Sequence, residues 1–426
     1  MNNLKITALL ILVTVLALSA MHACKQAAEA PPAALAKEVK VAVVSDLTGP
    51  NAAYIARTLE GTKAYLEWQN EKGGVIEGVP LDVTIYDMAG SMPKAYEAVQ
   101  RAIDDGVVAI FSNSASSTEP TLKLAEANKI PHIAGSPGVK GLWSDWLYAT
   151  NVNAMGDVYP SILDAILALW EKQGKPGKPM VGVLTFDSMA GHMVHRGFFD
   201  PCEGYPVPYI EQQGVEYVKE MFPTEATDLT AQIAKLKDAG VDEIIFGGPV
   251  GTAVAALKAM SIVNWDPSHC FVGLIVSISD LVAQAPSDLV ENIHIQSTQW
   301  SGVAEPGLED PPGMPLVREL WEEKNPGKPI ADTFTYGLIN AMVGSDAFRL
   351  ALEKVAPEEL TGELLREHGL NRITDNTAEG LLGGPVTWRA GVGNHGGPCS
   401  YFIWQYRGGH TYLKYHMEQC PNIKCK

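Results

Sequence analysis

The 426-residue sequence predicts an α/β protein made of two consecutive doubly wound, Rossmann-like lobes behind an export leader. Three observations predict it. From Lys40 onward, short β-branched runs alternate with longer amphipathic stretches, the pattern of parallel strands joined by crossover helices. The alternation runs through twice over similar lengths, and the chain is too long for one ordinary core.

The first residues set the compartment. Lys5 is followed by an uncharged, mostly apolar run over 6–20 and then by His22. A helix of that length, at about 1.5 Å per residue, falls short of a ~30 Å hydrocarbon core, so the run reads as a cleaved secretory signal. Ala23 before Cys24 matches a bacterial lipoprotein cleavage site, with Met21 where leucine is usual. Cys24 is the expected lipidation site; an ordinary signal cut near Ala23 is the alternative. The polar, Ala/Pro-rich stretch at 25–38 buries no apolar face and reads as a spacer off a membrane surface.

In the first half, strands are expected at 41–45, 81–87, 107–112, 131–134 and 147–151, with helices at 52–71, 93–105 and 114–128. The second half repeats the plan, with helices at 159–172, 190–199, 228–239 and 252–262 and strands at 180–186, 216–222, 243–246 and 271–276. Asp228 is the expected N-cap of the 228–239 helix, which places Leu229, Ile233 and Leu236 on one face. Beyond this come a strand at 293–297, an irregular loop at 300–315, and helices at 316–324, 333–355 and 358–367. A hairpin at 401–414 turns at Arg407 to His410. With no third αβ repeat, this tail must be shared between the lobes.

Composition and motifs exclude several functions. With 32 Lys and Arg against 49 Asp and Glu, the formal charge is -17, which argues against nucleic acid or anionic lipid as a partner. No GxSxG elbow, HExxH, Walker loop or EF-hand occurs, and no spacing singles out a catalytic carboxylate pair, so no catalytic residue, cofactor or metal is assigned. The glycines of 247–251 follow a strand and precede a helix, but Pro249 removes a backbone donor, so the segment reads as a tight turn rather than a phosphate loop. His192 and His195 share one helix face without a strong ligand set and read as surface or packing residues. Past Cys24 there are Cys202, Cys270, Cys399, Cys420 and Cys425; an oxidising compartment predicts at least one disulfide, first Cys399 with Cys420 or Cys425.

Several segments resemble one family, the type I periplasmic binding proteins of bacterial ABC importers close to the leucine/isoleucine/valine-binding protein. They are 41–44 with Thr48, Gly49 and Pro50; 70–75; Tyr86 and Asp87; 116–120; 246–248; Thr335 and Tyr336; and 384–388. Their order and spacing cover 40–412. The resemblance implies two lobes joined by three hinge crossovers, near Asn151, at 297–299 and at 395–400. It divides the chain into a signal peptide (1–23), a spacer (24–39), lobe 1 (40–151 plus 298–394) and lobe 2 (152–297 plus 395–426). It implies no enzymatic activity, a periplasmic or cell-surface location, and permease and ATPase subunits as partners, with the membrane reached through a lipid anchor alone. A sensory or regulatory envelope lipoprotein of the same fold is the alternative, and an exported hydrolase a more distant one.

The family grips a ligand carboxylate at a serine-rich helix start, here Ser114, Ala115 and Ser116, and at the turn after the next strand, here Ser136 to Gly138. The resemblance adds Tyr336 at the hinge side, Arg57 one turn into the first helix, Ala190 and Pro249 from lobe 2, and Ile275 where amino-acid binders place an ammonium-holding acid. Alanine at 115, glycine at 138, and the non-aromatic residues at 190 and 249 are further departures. Without an acid at 275 a desolvated ammonium lacks its counter-charge, so the expected ligand is a small carboxylate, aromatic acid or amino-acid-like compound other than leucine. Trp143, Trp146 and Trp300 are loop residues placed to stack on an aromatic ligand.

Overall fold

The computed structural model describes residues 38–49, 52–113, 115–136, 138, 143–152, 155–187, 189–202, 206–273, 276–398 and 400–417. The leader, Cys24 and the spacer as far as residue 37, and the expected Cys399–Cys420 pair, lie outside the described residues, while Val39, assigned to the spacer, already begins the first strand. Cys202 is disulfide-bonded, an engagement the sequence left open, while Cys270 is a buried free thiol that burial pushes up to about 12.

The first sheet is parallel throughout. Its strands are β1 (Val39–Ser45), β2 (Leu81–Asp87), β3 (Ala109–Ser112), β4 (His132–Ala134) and β5 (Leu147–Ala149), in the order β2-β1-β3-β4-β5. Period-two alternation fills both faces: Val39, Val41 and Val43 join one core with Phe111 and Ile133, while Ala42 and Val44 join the other with Ile110. Helix α1 (Ala52–Glu71) covers the first face and α2 (Met92–Asp104) the second. Ser91 caps α2 by accepting from the Lys94 N–H. The expected 114–128 helix is instead α3 (Ala115–Thr118), a 3₁₀ turn (Glu119–Thr121) and α4 (Leu122–Ala127). Pro120 has no N–H to carry an i to i−4 ladder through that point.

The second sheet has seven strands. After α5 (Val158–Lys172) come β6 (Val181–Asp187), α6 (Met189–His195), α7 (Tyr209–Gln212), β7 (Tyr217–Pro223), α8 (Thr230–Asp238), β8 (Glu243–Gly247), α9 (Val250–Ile262), β9 (Cys270–Gly273), α10 (Ile278–Gln284), α11 (Ser287–Val290) and β10 (His294–Ser297). Helix α6 stops earlier than expected, at a turn through Gly197 with φ of 78°. Asp228 lies two residues before α8 and accepts from both the N–H and the hydroxyl of Thr230, closing an Asx turn rather than serving as the N-cap.

The tail contributes to both sheets. Helices α12 (Met314–Lys324), α13 (Asp332–Leu352) and α14 (Gly362–His368) pack on the first sheet. The hairpin β11 (Tyr401–Arg407) and β12 (His410–Met417) adds antiparallel to β10, giving the order β12-β11-β10-β9-β8-β6-β7. Gly408 and Gly409 turn it with φ of 55° and 88°, the double positive φ of a type I′ turn. Helices α1 and α13 touch backbone to backbone, because a Cβ on Gly61 would run into the Phe334 carbonyl and one on Gly337 into that of Thr58.

The chain passes between the sheets after β5, after β10 and before β11. These passages lie side by side. Ala149 N–H donates to His395 O at 2.8 Å, Gly397 N–H to Val152 O at 3.3 Å, and Gly383 N–H to Thr298 O at 3.0 Å.

Candidate functional site

The C-terminal ends of the strands in each sheet, together with the three passages, frame the candidate site, the place where open α/β sheets bind ligands. On the first sheet its centre is the turn after β4. Gly135 N–H donates to Ser112 O at 2.9 Å, and the Gly135 carbonyl accepts from Asn151 and Val152 of the first passage. Tyr336, in the first turn and a half of α13, lays its ring across this turn: a Cβ on Gly135 would come within 2.6 Å of the Tyr336 hydroxyl. Asn151 Nδ2 donates to Tyr336 O at 3.1 Å, tying the ring's helix to the same passage. Ser136 beside the ring is buried, and Gly138 completes the turn with φ of 67°.

Behind the turn lies a buried amide and hydroxyl network. Asn340 of α13 donates through Nδ2 to Ser112 O at 3.3 Å and to Asn113 Oδ1 at 3.2 Å, and the Thr150 hydroxyl meets Asn340 Oδ1 at 3.0 Å. Thr62 of α1 donates to Gly337 O at 3.0 Å. His132 of β4 stands beneath, with Nδ1 3.2 Å from the Ser112 hydroxyl; burial holds its imidazole down at about 4, so the ring is neutral. The network fixes β3, β4 and the first passage relative to α13, so the turn and Tyr336 are held as one unit.

On the second sheet, Tyr159 of α5 donates its hydroxyl to Thr185 of β6 at 2.8 Å and lies directly under Gly247, leaving no room there for a side chain. Pro249 caps α9 and its carbonyl accepts the Thr252 hydroxyl at 2.7 Å, so 247–251 forms the tight turn expected. Where β9 ends, Ser277 caps α10 by accepting from the Asp280 N–H at 3.1 Å. The carboxyl of Asp332, at the start of α13, accepts from Ile278 N–H at 3.3 Å and from Gly302 N–H at 3.4 Å. Burial pushes that carboxyl up to about 6, with Asp280 adding to the rise and the two N–H groups opposing it.

Of the residues singled out from the sequence, Tyr336 is brought onto the turn at Gly135 that leads into Ser136, and Pro249 heads its turn on the other sheet. Ser114 and Ile275 lie outside the described residues; Ala115 and Ser116 are placed in α3 and Ala190 in α6 by backbone alone. Arg57 is already engaged. Its Nη1 is 2.6 Å from Glu60 Oε2 and 2.9 Å from Asn325 Oδ1, and its guanidinium lies over the Trp321 ring at 5.6 Å. Trp300 packs edge-on against Phe402 and Trp404, and Trp146 lies under Arg366. His192 bonds Asp187 at 2.9 Å, while His195 is buried against Phe199. Among the described residues no group of three His, Cys, Asp or Glu side chains gathers as a metal would need, and no helix is long and apolar enough to cross a membrane.

With this geometry in view, comparison with known proteins is decisive on one point: the sequence profile of the periplasmic binding proteins matches residues 38–410. The chain belongs to the periplasmic binding protein family. The Leu/Ile/Val-binding protein of Escherichia coli is 33% identical over 94 residues, 22% of this chain and 25% of that protein. A leucine-, isoleucine-, valine-, threonine- and alanine-binding protein of Pseudomonas aeruginosa is 27% identical over 216 residues, 50% of this chain and 54% of that one. The matches thus span from a quarter to about half of those relatives' length. Among solved structures, a branched-chain amino acid ABC transporter protein from Thermus thermophilus with bound valine superposes with a TM-score of 0.73 at 17% identity, covering 91% of this chain and 98% of that one. A fatty acid ABC transporter substrate-binding protein from Thermomonospora curvata does so with 0.69 at 18%, covering 91% and 93%. At these identities the likeness is one of fold: the two-sheet, type I periplasmic binding protein architecture expected from the sequence.

Asn113, Asn340, Asp332 and Tyr159 are residues of these hydrogen-bond networks that the sequence did not single out. Their partners lie up to 228 positions away along the chain, as for Asn340 and Ser112, so no local pattern marks them.

Proposed function

We propose that this periplasmic binding protein is the extracytoplasmic solute-binding subunit of an ABC importer, anchored through a lipidated Cys24. It captures a small carboxylate, aromatic acid or amino-acid-like compound in the cleft between its lobes and is not an enzyme. The observation that carries the reading is the Gly135–Ser136 turn roofed by Tyr336 and joined through Asn151 to a passage between the sheets. A ligand seated there touches the elements that would move when the lobes close. Ser114 to Ser116 would add hydroxyls and N–H groups for the carboxylate; Ala190, Pro249 and Ile275 would line the opposite wall. The relatives named for branched-chain amino acids and the structural neighbour named for fatty acids share a carboxylate as the common chemical group.

The test is native mass spectrometry of the purified protein together with a thermal-shift screen of small aliphatic acids, aromatic acids, amino acids and amides. A co-purified acid, or a raised Tm with one class of carboxylate, is expected. No adduct, and no shift with any of them, would overturn the proposal.

A further inference from the structure

Asp332 is a buried carboxyl at the junction of the two sheets, and it starts the helix that carries Tyr336. Its partners come from two other places in the fold. Ile278 is the first residue of α10, whose Ile278 and Leu281 belong, with Val276 just before the helix, to the core of the second sheet. Gly302 lies just past the second passage and is pressed so close to Ile330 that a Cβ there would come within 2.6 Å of the Ile330 Cβ. The main chain takes part as well, since Gln299 Nε2 donates to Asp332 O at 3.1 Å. One residue of the first lobe's longest helix thus holds the start of a second-lobe helix, the passage residue Gln299 and the loop beyond it. A buried carboxylate is stable only where its acceptors are used, so the contact is retained at a real cost in desolvation.

We infer that Asp332 is a positioning residue for ligand capture: its carboxyl fixes the start of α10 against the start of α13 and thereby sets the angle between the lobes. The inference rests on the reading of the cleft as the ligand site. Its test uses ligand-free protein, so it fails or succeeds separately from that reading.

Small-angle X-ray scattering of the full chain is measured for wild type and Asp332→Asn, which keeps the volume but turns one acceptor into a donor facing an N–H. The expected result is a larger radius of gyration with unchanged far-UV circular dichroism. Ile278→Pro is the second variant, because it removes the donor at a first helical position that tolerates proline, and the same increase is expected. An unchanged radius in either folded variant overturns the inference. Where neither variant folds, hydrogen exchange of the wild type decides: slow exchange at Ile278 and Gly302 supports the contact, and exchange at the rate of exposed loop amides contradicts it.

Discussion

Tyr336 and Gly135 are matched by size, since the ring occupies the space a side chain at 135 would need. Two predictions follow at this scale. Tyr336→Ala should weaken binding of the ligand found by screening about tenfold, roughly 1.4 kcal/mol, read by calorimetric titration; unchanged affinity would remove Tyr336 from the site. Ser136→Trp fills the cleft beside the ring and should abolish ligand-induced stabilisation in a thermal-shift assay. Tyr336 was singled out only through the family resemblance, by the Thr335–Tyr336 pair that lies in the first turns of α13. Asp332 was not, because an acid at a helix start reads as an ordinary exposed charge and only the tertiary fold buries it. Arg57 shows the converse: the sequence offered a cleft-side cation, and Glu60, one turn on along the same helix, already neutralises it.

Among the elements, the strands and the longer helices were legible, because each sheet is covered on both faces and its strands therefore appear as short β-branched runs between amphipathic helices, whereas the short helices α7, α10 and α11 were not. The departures have local causes, namely Pro120 in the 115–127 segment and Gly197 after α6. The closest element contact, α1 against α13, gives a stability prediction. Gly337→Ala drives a methyl into the Thr58 carbonyl, where overpacking costs about 1–3 kcal/mol, more than the ~1 kcal/mol of helix propensity gained. A lowered urea midpoint is expected; a raised one would mean that the helices part without penalty.

For the molecule as a whole, buried histidines set the response to acid. Burial holds His132 at about 4, His195 at about 3 and His294 at about 4 in the folded state. The unfolded chain protonates them near 6.5, so their contribution is complete above that pH and is lost as pH falls from 6.5 toward the folded values. For His132 the loss between pH 7 and pH 5 is about 2 kcal/mol. Asp164 and Asp332, raised to about 6, act with the opposite sign over part of that range, and the three histidines outweigh them. Urea midpoints at pH 7 and pH 5 should therefore differ more in wild type than in His132→Asn; an equal difference would exclude His132 from the response.

The same scale holds the central claim, that a member of this family lacking an acid at position 275 captures a carboxylate without needing an ammonium beside it. The two-lobed frame was readable from the sequence, but the ligand depends on side chains converging from loops and from helices far apart in the chain. Calorimetric titration of L-leucine against 4-methylpentanoate, the same carbon skeleton without the amino group, isolates the missing counter-charge. The account predicts that the des-amino acid binds at least as tightly as the amino acid; tight binding of L-leucine with none of 4-methylpentanoate would contradict it.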